Sequence, residues 1–105
     1  MLEVMRMRAE WMNKATNPVL EVLDQATTAN LWLSKSDINA NIQLLSGDQP
    51  SKNTVYRAFG DLVDYGFIRP CDSDSSMFQI TERGRGYLQG ELDASQIEPV
   101  DETSS

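Results

Sequence analysis

The stretch from Pro50 to Ile80 constrains the fold more than any other part of the chain. Ser51 is a helix-capping residue type. Val55, Ala58, Phe59 and Leu62 follow it at spacings that, at about 100° per residue, gather on one face of a helix. Gly66 then supplies the residue that ends a helix most readily, because it takes the left-handed conformation without strain. Directly behind it, Phe67-Ile68-Arg69 and Met77-Phe78-Gln79-Ile80 read as short strands. The polar run from Pro70 to Ser76 connects them as a hairpin. A capped amphipathic helix that runs straight into a hairpin leaves few small folds open.

The flanking signals narrow the choice. Asn17-Pro18 predicts a helix start, with Val19, Leu20, Val22 and Leu23 as its apolar face up to about Ala26. Thr27 to Asn30 reads as a turn and Leu31-Trp32-Leu33 as a brief strand. Ser36 is the expected cap of a second helix, with Asp37 suiting its dipole and Ile38, Ile42 and Leu45 at i, i+4 and i+7. Ser46-Gly47-Asp48-Gln49-Pro50 breaks that helix. Thr81 is expected to cap a last helix through about Leu92. Gly84 and Gly86 weaken it by about 1 kcal/mol each relative to Ala, which makes sense where a neighbouring element packs closely. The order predicts a mainly α chain with a small β-hairpin, a winged helix-turn-helix: a three-helix core, a short antiparallel sheet and a C-terminal helix. The expected divisions are an N-terminal arm or helix over 1–16, the winged helix over 17–92 and an acidic disordered tail over 93–105. In the first of these, Leu2, Met5, Ala9 and Met12 stand at helical spacing and offer a dimer contact.

Composition removes most catalytic chemistries. The chain has 105 residues, one cysteine and no histidine. Triads built on histidine, and sites in which a metal is held by several Cys or His, are therefore not expected. No carboxylate pair stands with a partner base or nucleophile, and no Gly-rich loop links a strand to a helix as a phosphate cradle. The expectation is a chain that is not an enzyme and uses no cofactor or metal, with no effector domain for a small molecule. No apolar run approaches about 18 residues and no leader is visible, so a cytoplasmic protein is expected, without a membrane partner. The net charge of −7 is uneven. Residues 91–105 hold Glu91, Asp93, Glu98, Asp101 and Glu102 and no base, which leaves a balance of −2 over residues 1–90. Few lysines and many acids fit a salt-rich cytoplasm; an ordinary acidic tail on an ordinary domain fits equally.

Several segments carry a family resemblance. Trp11-Met12, Pro18-Val-Leu-Glu-Val-Leu23, Ser51-Lys-Asn-Thr-Val-Tyr-Arg57, Leu62-Val-Asp-Tyr-Gly-Phe-Ile68 and Ile80-Thr-Glu-Arg-Gly-Arg-Gly-Tyr-Leu88 resemble the small haloarchaeal winged-helix regulators similar to the phage phi-H repressor. The likeness runs over roughly residues 5–92. It implies binding of double-stranded DNA, control of transcription and assembly as a homodimer. The sequence departs from typical DNA-binding wings at the hairpin, whose tip has Asp72 and Asp74 and no base.

On the third helix Lys52, Asn53, Tyr56, Arg57 and Gly60 fall within about 140° of one another, away from Val55 and Leu62. Arg pairs bidentately with guanine, Asn with adenine, and Lys neutralises phosphate. Ser51 and Thr54 stand at the helix start, where free N–H groups favour anions. Asp61 and Asp64 repel phosphate, so insertion uses the N-terminal half. Lys35 before the second helix and Arg69 at the wing base are the remaining candidates for phosphate contact. The plain alternatives are a solvated polar face and solvated lysines. Arg6 and Arg8 read as surface charges rather than a minor-groove arm, and Cys71 as a spectator thiol. The reading is a sequence-specific regulator, a repressor because nothing is left over to recruit polymerase. The alternatives are a winged helix that binds protein and an acidic DNA mimic.

Overall fold

Asn13 sets where the first helix begins. The structure, a computed structural model, describes residues 6–45 and 47–99. The Asn13 Oδ1 accepts the Ala15 N–H at 2.8 Å, and α1 (Thr16–Thr28) follows. The expected start at Asn17-Pro18 is therefore late. Pro18 lies within the first turn, where a missing N–H leaves no helical bond unmade. Val19, Leu20 and Leu23 are fully buried as expected.

The first strand is β1 (Leu33–Ser34), displaced from the predicted Leu31-Trp32-Leu33, and Leu31 is exposed. Ser34, not Ser36, caps α2 (Lys35–Gln43). Its Oγ accepts the Asp37 N–H at 3.1 Å while its own N–H donates to Asp37 Oδ2 at 3.2 Å, a reciprocal box that Ser36 is one turn position too late to form. Lys35 is thus the first residue of the helix rather than a residue before it. Ile38 and Ile42 are fully buried, but Leu45 lies past the helix end and is exposed, so it is not the third member of that face.

The strongest expectation matches in detail. Ser51 caps α3 (Lys52–Asp64), Val55, Ala58, Phe59 and Leu62 are fully buried, and Gly66 turns the chain with φ of 76°. The hairpin is β2 (Ile68–Pro70) and β3 (Met77–Ile80). β3 is the central strand of a three-stranded antiparallel sheet in the order β1-β3-β2, and Phe78 stands opposite both Leu33 and Pro70. Thr81 caps α4 (Glu82–Leu88), which ends four residues before the expected Leu92; Gly90, with φ of 75°, lies just beyond.

Both expected boundaries dissolve into one core. Residues 6–12 form no helix. Trp11 stacks on Tyr65 with ring centroids 4.0 Å apart and meets Phe67 edge-on, and Met12 joins the buried cluster. Met7 bridges Asp93 in parallel, and its carbonyl accepts the Ala94 N–H at 2.9 Å. Ala94 is fully buried at the head of a single 3-10 turn, Ala94–Gln96. Asp93 and Ala94, in the expected tail, thus pack against the chain's own N-terminal segment. Leu2, Met5 and residues 100–105 lie outside the described residues.

Candidate nucleic-acid interface

The distribution of the bases defines the surface. Arg6 pairs with Glu21 and donates to the Leu88 carbonyl. Arg8 donates to the Asn13 carbonyl and to Asn17 Oδ1. Arg83 donates to the Tyr65 carbonyl at 2.8 Å, and Arg85 to Asp24 at 2.8 Å and Thr28 at 3.2 Å. These four tie the terminal segments to the helices, as surface charges rather than a reaching arm. Arg69 lies with its guanidinium 5.0 Å from the Trp32 ring centroid and 3.5 Å from Gln79 Oε1. Lys14, Lys35, Lys52 and Arg57 make no side-chain hydrogen bond or ion pair among the described residues, and three of these four belong to α2 and α3.

Tyr56 gathers two of them. The Lys52 ammonium lies 5.3 Å and the Lys35 ammonium 5.9 Å from its ring centroid. The ring's negative face offsets part of the repulsion between the two ammonium ions. Two positive charges from different helices are thus held over one ring with no carboxylate to neutralise them among the described residues. Beside them opens a cavity of about 350 Å³ lined by Ser34, Lys35, Tyr56, Ser75, Ser76 and Phe78. A second, of about 320 Å³, adjoins it through Lys35, Ser75 and Phe78 and runs along Gly60, Asp64 and Pro70. The cleft between α3 and the hairpin therefore presents hydroxyls and ammonium groups at one end and a carboxylate at the other.

The other predicted residues divide. Asn53 and Arg57 are exposed and point from the same stripe of α3 as Tyr56. The hydroxyl of Ser51 accepts the Thr54 N–H at 3.3 Å and lies 3.0 Å from the Thr54 hydroxyl, so both are engaged in closing the helix end. Arg69 is joined to Trp32 and Gln79 rather than to the α3 cluster. Asp61, one turn beyond Arg57, has its carboxyl pushed above the usual range by burial and by the charge of Asp64, against the opposing pull of Arg57. Positive charge on α3 is accordingly confined to its N-terminal half.

Two contributors escaped the sequence reading. Ser75 and Ser76 reach the Lys35 end because β3 pairs with β1, setting Met77 opposite Ser34, and nothing local in the sequence announces that. Asn13 donates from Nδ2 to the Thr54 carbonyl at 3.1 Å, fixing the first turn of α3 against the start of α1. Its reach across 41 positions has no local signal in the sequence.

Four helices and a three-stranded sheet, whose β2–β3 hairpin lies beside the second helix of a helix-turn-helix, define a winged helix. The same fold occurs in a crystal structure of the PhiH1 repressor-like protein from Haloarcula marismortui, with a TM-score of 0.68 and 24% identity over 93% of this chain and 100% of that chain. The chain matches no protein-family model, and no curated protein is significantly similar to it in sequence. No described helix is long and apolar enough to cross a membrane.

Proposed function

We propose that the protein is a sequence-specific regulator of transcription that binds double-stranded DNA through α3 and acts as a repressor. The observation that carries this reading is the pair of lysines without an ion-pair partner among the described residues, Lys35 and Lys52, together with the exposed Arg57 and Asn53 on the same helix-turn-helix. Arg57 and Asn53 have the donor and acceptor geometry for base edges, and Lys35 and Lys52 are suited to phosphate. The repressor-like character of the structural neighbour supports the same reading. Arg69, held on Trp32, contributes least, and the acidic wing tip leaves the hairpin outside the minor groove.

Substitutions that remove base contacts and phosphate contacts fail differently. Arg57→Ala is expected to lose about 1–3 kcal/mol on the preferred duplex and to relax preference at one base pair. Lys52→Ala is expected to weaken all duplexes alike and to lower the slope of log affinity against log salt by about one. Fluorescence anisotropy on matched and scrambled duplexes across a salt series measures both. If neither substitution alters DNA affinity, α3 is not the reading helix.

The protein is also proposed to bind as a homodimer, because two-fold operators require two reading helices about 34 Å apart. That proposal rests on the geometry of DNA, since residues 6–12 and α4 are engaged with each other inside the protomer. A monomer by sedimentation at micromolar concentration, with and without DNA, contradicts it. The competing reading is a winged helix that docks a protein. It is favoured by Leu44 and Leu45, which are 83% and 52% exposed at the end of α2.

A further inference from the structure

We propose that Gly60 is a clearance residue of the reading surface: its missing side chain lets a deoxyribose of duplex DNA lie against the bare backbone of α3, one turn beyond Arg57. The inference rests on the reading of α3 as the DNA-binding helix. Glycine is the least favourable residue after proline in a helix interior, so one at mid-helix needs a reason. The protein itself supplies none. A Cβ built on Gly60 meets no atom within 4 Å, whereas one on Gly84 falls 2.5 Å from the Phe67 carbonyl oxygen. Gly47, Gly66 and Gly90 have positive φ, and Gly60 does not. Neither packing nor conformation requires a glycine there, so the close neighbour lies outside the chain.

Position identifies what that neighbour is. Asn53, Tyr56, Arg57 and Gly60 stand at i, i+3, i+4 and i+7, one continuous stripe of α3. Gly60 is exposed and forms part of the groove between α3 and the hairpin, with Lys35, Val63, Pro70 and Ser75 around it. A DNA strand read by Asn53 and Arg57 continues along this groove. Asp64 lines the same groove and has no ion-pair partner among the described residues. Lys35 and Asp64 both line this groove; the carboxylate disfavours a phosphate against Gly60 and Lys35 offers a cation to the next phosphate along the strand, so the uncharged sugar is the part set against Gly60.

The test compares Gly60→Ala, Gly60→Leu and Arg57→Ala, using thermal melts and anisotropy on a duplex selected from a random pool. With no internal contact to break, Gly60→Ala is expected to melt about 4 °C or more above the parent protein. Gly60→Leu is expected to melt no lower than the parent yet to bind the selected duplex at least tenfold more weakly. Lower melting of Gly60→Ala overturns the claim that the protein has no need of this glycine. Binding by Gly60→Leu within twofold of the parent, with Arg57→Ala weakened tenfold, overturns the clearance role and leaves the α3 reading standing. Unchanged binding by both Gly60→Leu and Arg57→Ala removes the α3 reading and this inference with it, and failure to select any duplex does the same.

Discussion

Gly84→Ala places two opposed effects at one position. Alanine is favoured over glycine in a helix interior by about 1 kcal/mol, so α4 by itself gains from the exchange. The added methyl, however, falls 2.5 Å from the Phe67 carbonyl oxygen and 2.7 Å from Ile80 Cγ1. Neither neighbour can give way easily. The Phe67 carbonyl accepts the Thr81 N–H at 3.0 Å, and the Thr81 hydroxyl donates to the Gly66 carbonyl at 2.7 Å, so the chain is pinned on both sides of the contact. Ile80 is 4% exposed and lies within the core. Inserting a carbon into such a site costs typically about 1–3 kcal/mol, and contact with backbone puts this case in the upper half of that range. The net expectation is a loss of about 1–2 kcal/mol, or a melting temperature lower by about 4–15 °C for a domain of this size. Circular dichroism melts and urea titrations read it directly. A Gly84→Ala protein that melts at or above the parent temperature refutes the packing of α4 against the start of β2.

Three further outcomes follow from the same contacts. Phe59 is fully buried and meets Phe78 edge-on at 5.3 Å, so Phe59→Ala is expected to lose about 3–5 kcal/mol in urea melts. Asn13→Ala removes the acceptor of the Ala15 N–H just before α1 and the bond to the Thr54 carbonyl together, with an expected loss of about 1–3 kcal/mol by the same assay. The Tyr87 hydroxyl donates to Asn17 Oδ1 at 2.7 Å, and burial raises its pKa against the opposing charges of Arg8 and Arg6. The unfolded chain therefore ionises first, so stability is full below pH of about 10 and declines above it; urea midpoints across that range are expected to show a decline that Tyr87→Phe reduces.

The fold was legible where local chemistry and tertiary packing agree. Ser51, the Val55-Ala58-Phe59-Leu62 face, Gly66 and Thr81 each act as their residue types predict, because cap, periodicity and turn all point the same way there. The errors fall where two local signals compete. Asn17-Pro18 has the form of a helix start, but the chain already turns at Asn13, whose side chain accepts the Ala15 N–H, and Pro18 is tolerated in the first turn of α1. Ser36 and Ser34 are both capping types, and only Ser34 has Asp37 three residues on. The N-terminal apolar residues fit a helical period, yet among the described residues Trp11 is held by Tyr65 and Phe67 and Met7 by the Asp93–Ala94 segment, all more than 50 residues away. Gly84 and Gly86 share one expectation of close packing, and only Gly84 meets it. At Gly86 a Cβ lies 3.5 Å from that of Leu92, an ordinary contact.

The candidate site was legible as a face but not as a charge pattern. Helical spacing alone places Lys52, Asn53, Tyr56 and Arg57 together. What the spacing leaves undetermined is which bases the fold neutralises. Six arginines and three lysines over an acidic chain look like a weak basis for binding a polyanion. Once folded, Arg6, Arg8, Arg83 and Arg85 are engaged by partners within the chain, and Arg69 is held on Trp32. The lysines flanking Tyr56 and the Arg57 guanidinium are left with neither an ion pair nor a hydrogen bond among the described residues. At a screening length of about 3 Å in 1 M salt, acids that are not in contact with this surface contribute little to it. Local neutralisation therefore decides where an anion can settle, and net charge does not. By that criterion the proposed DNA contact belongs to the N-terminal half of α3 with Lys35, and Asp61 and Asp64 mark the half of the helix where a phosphate is disfavoured.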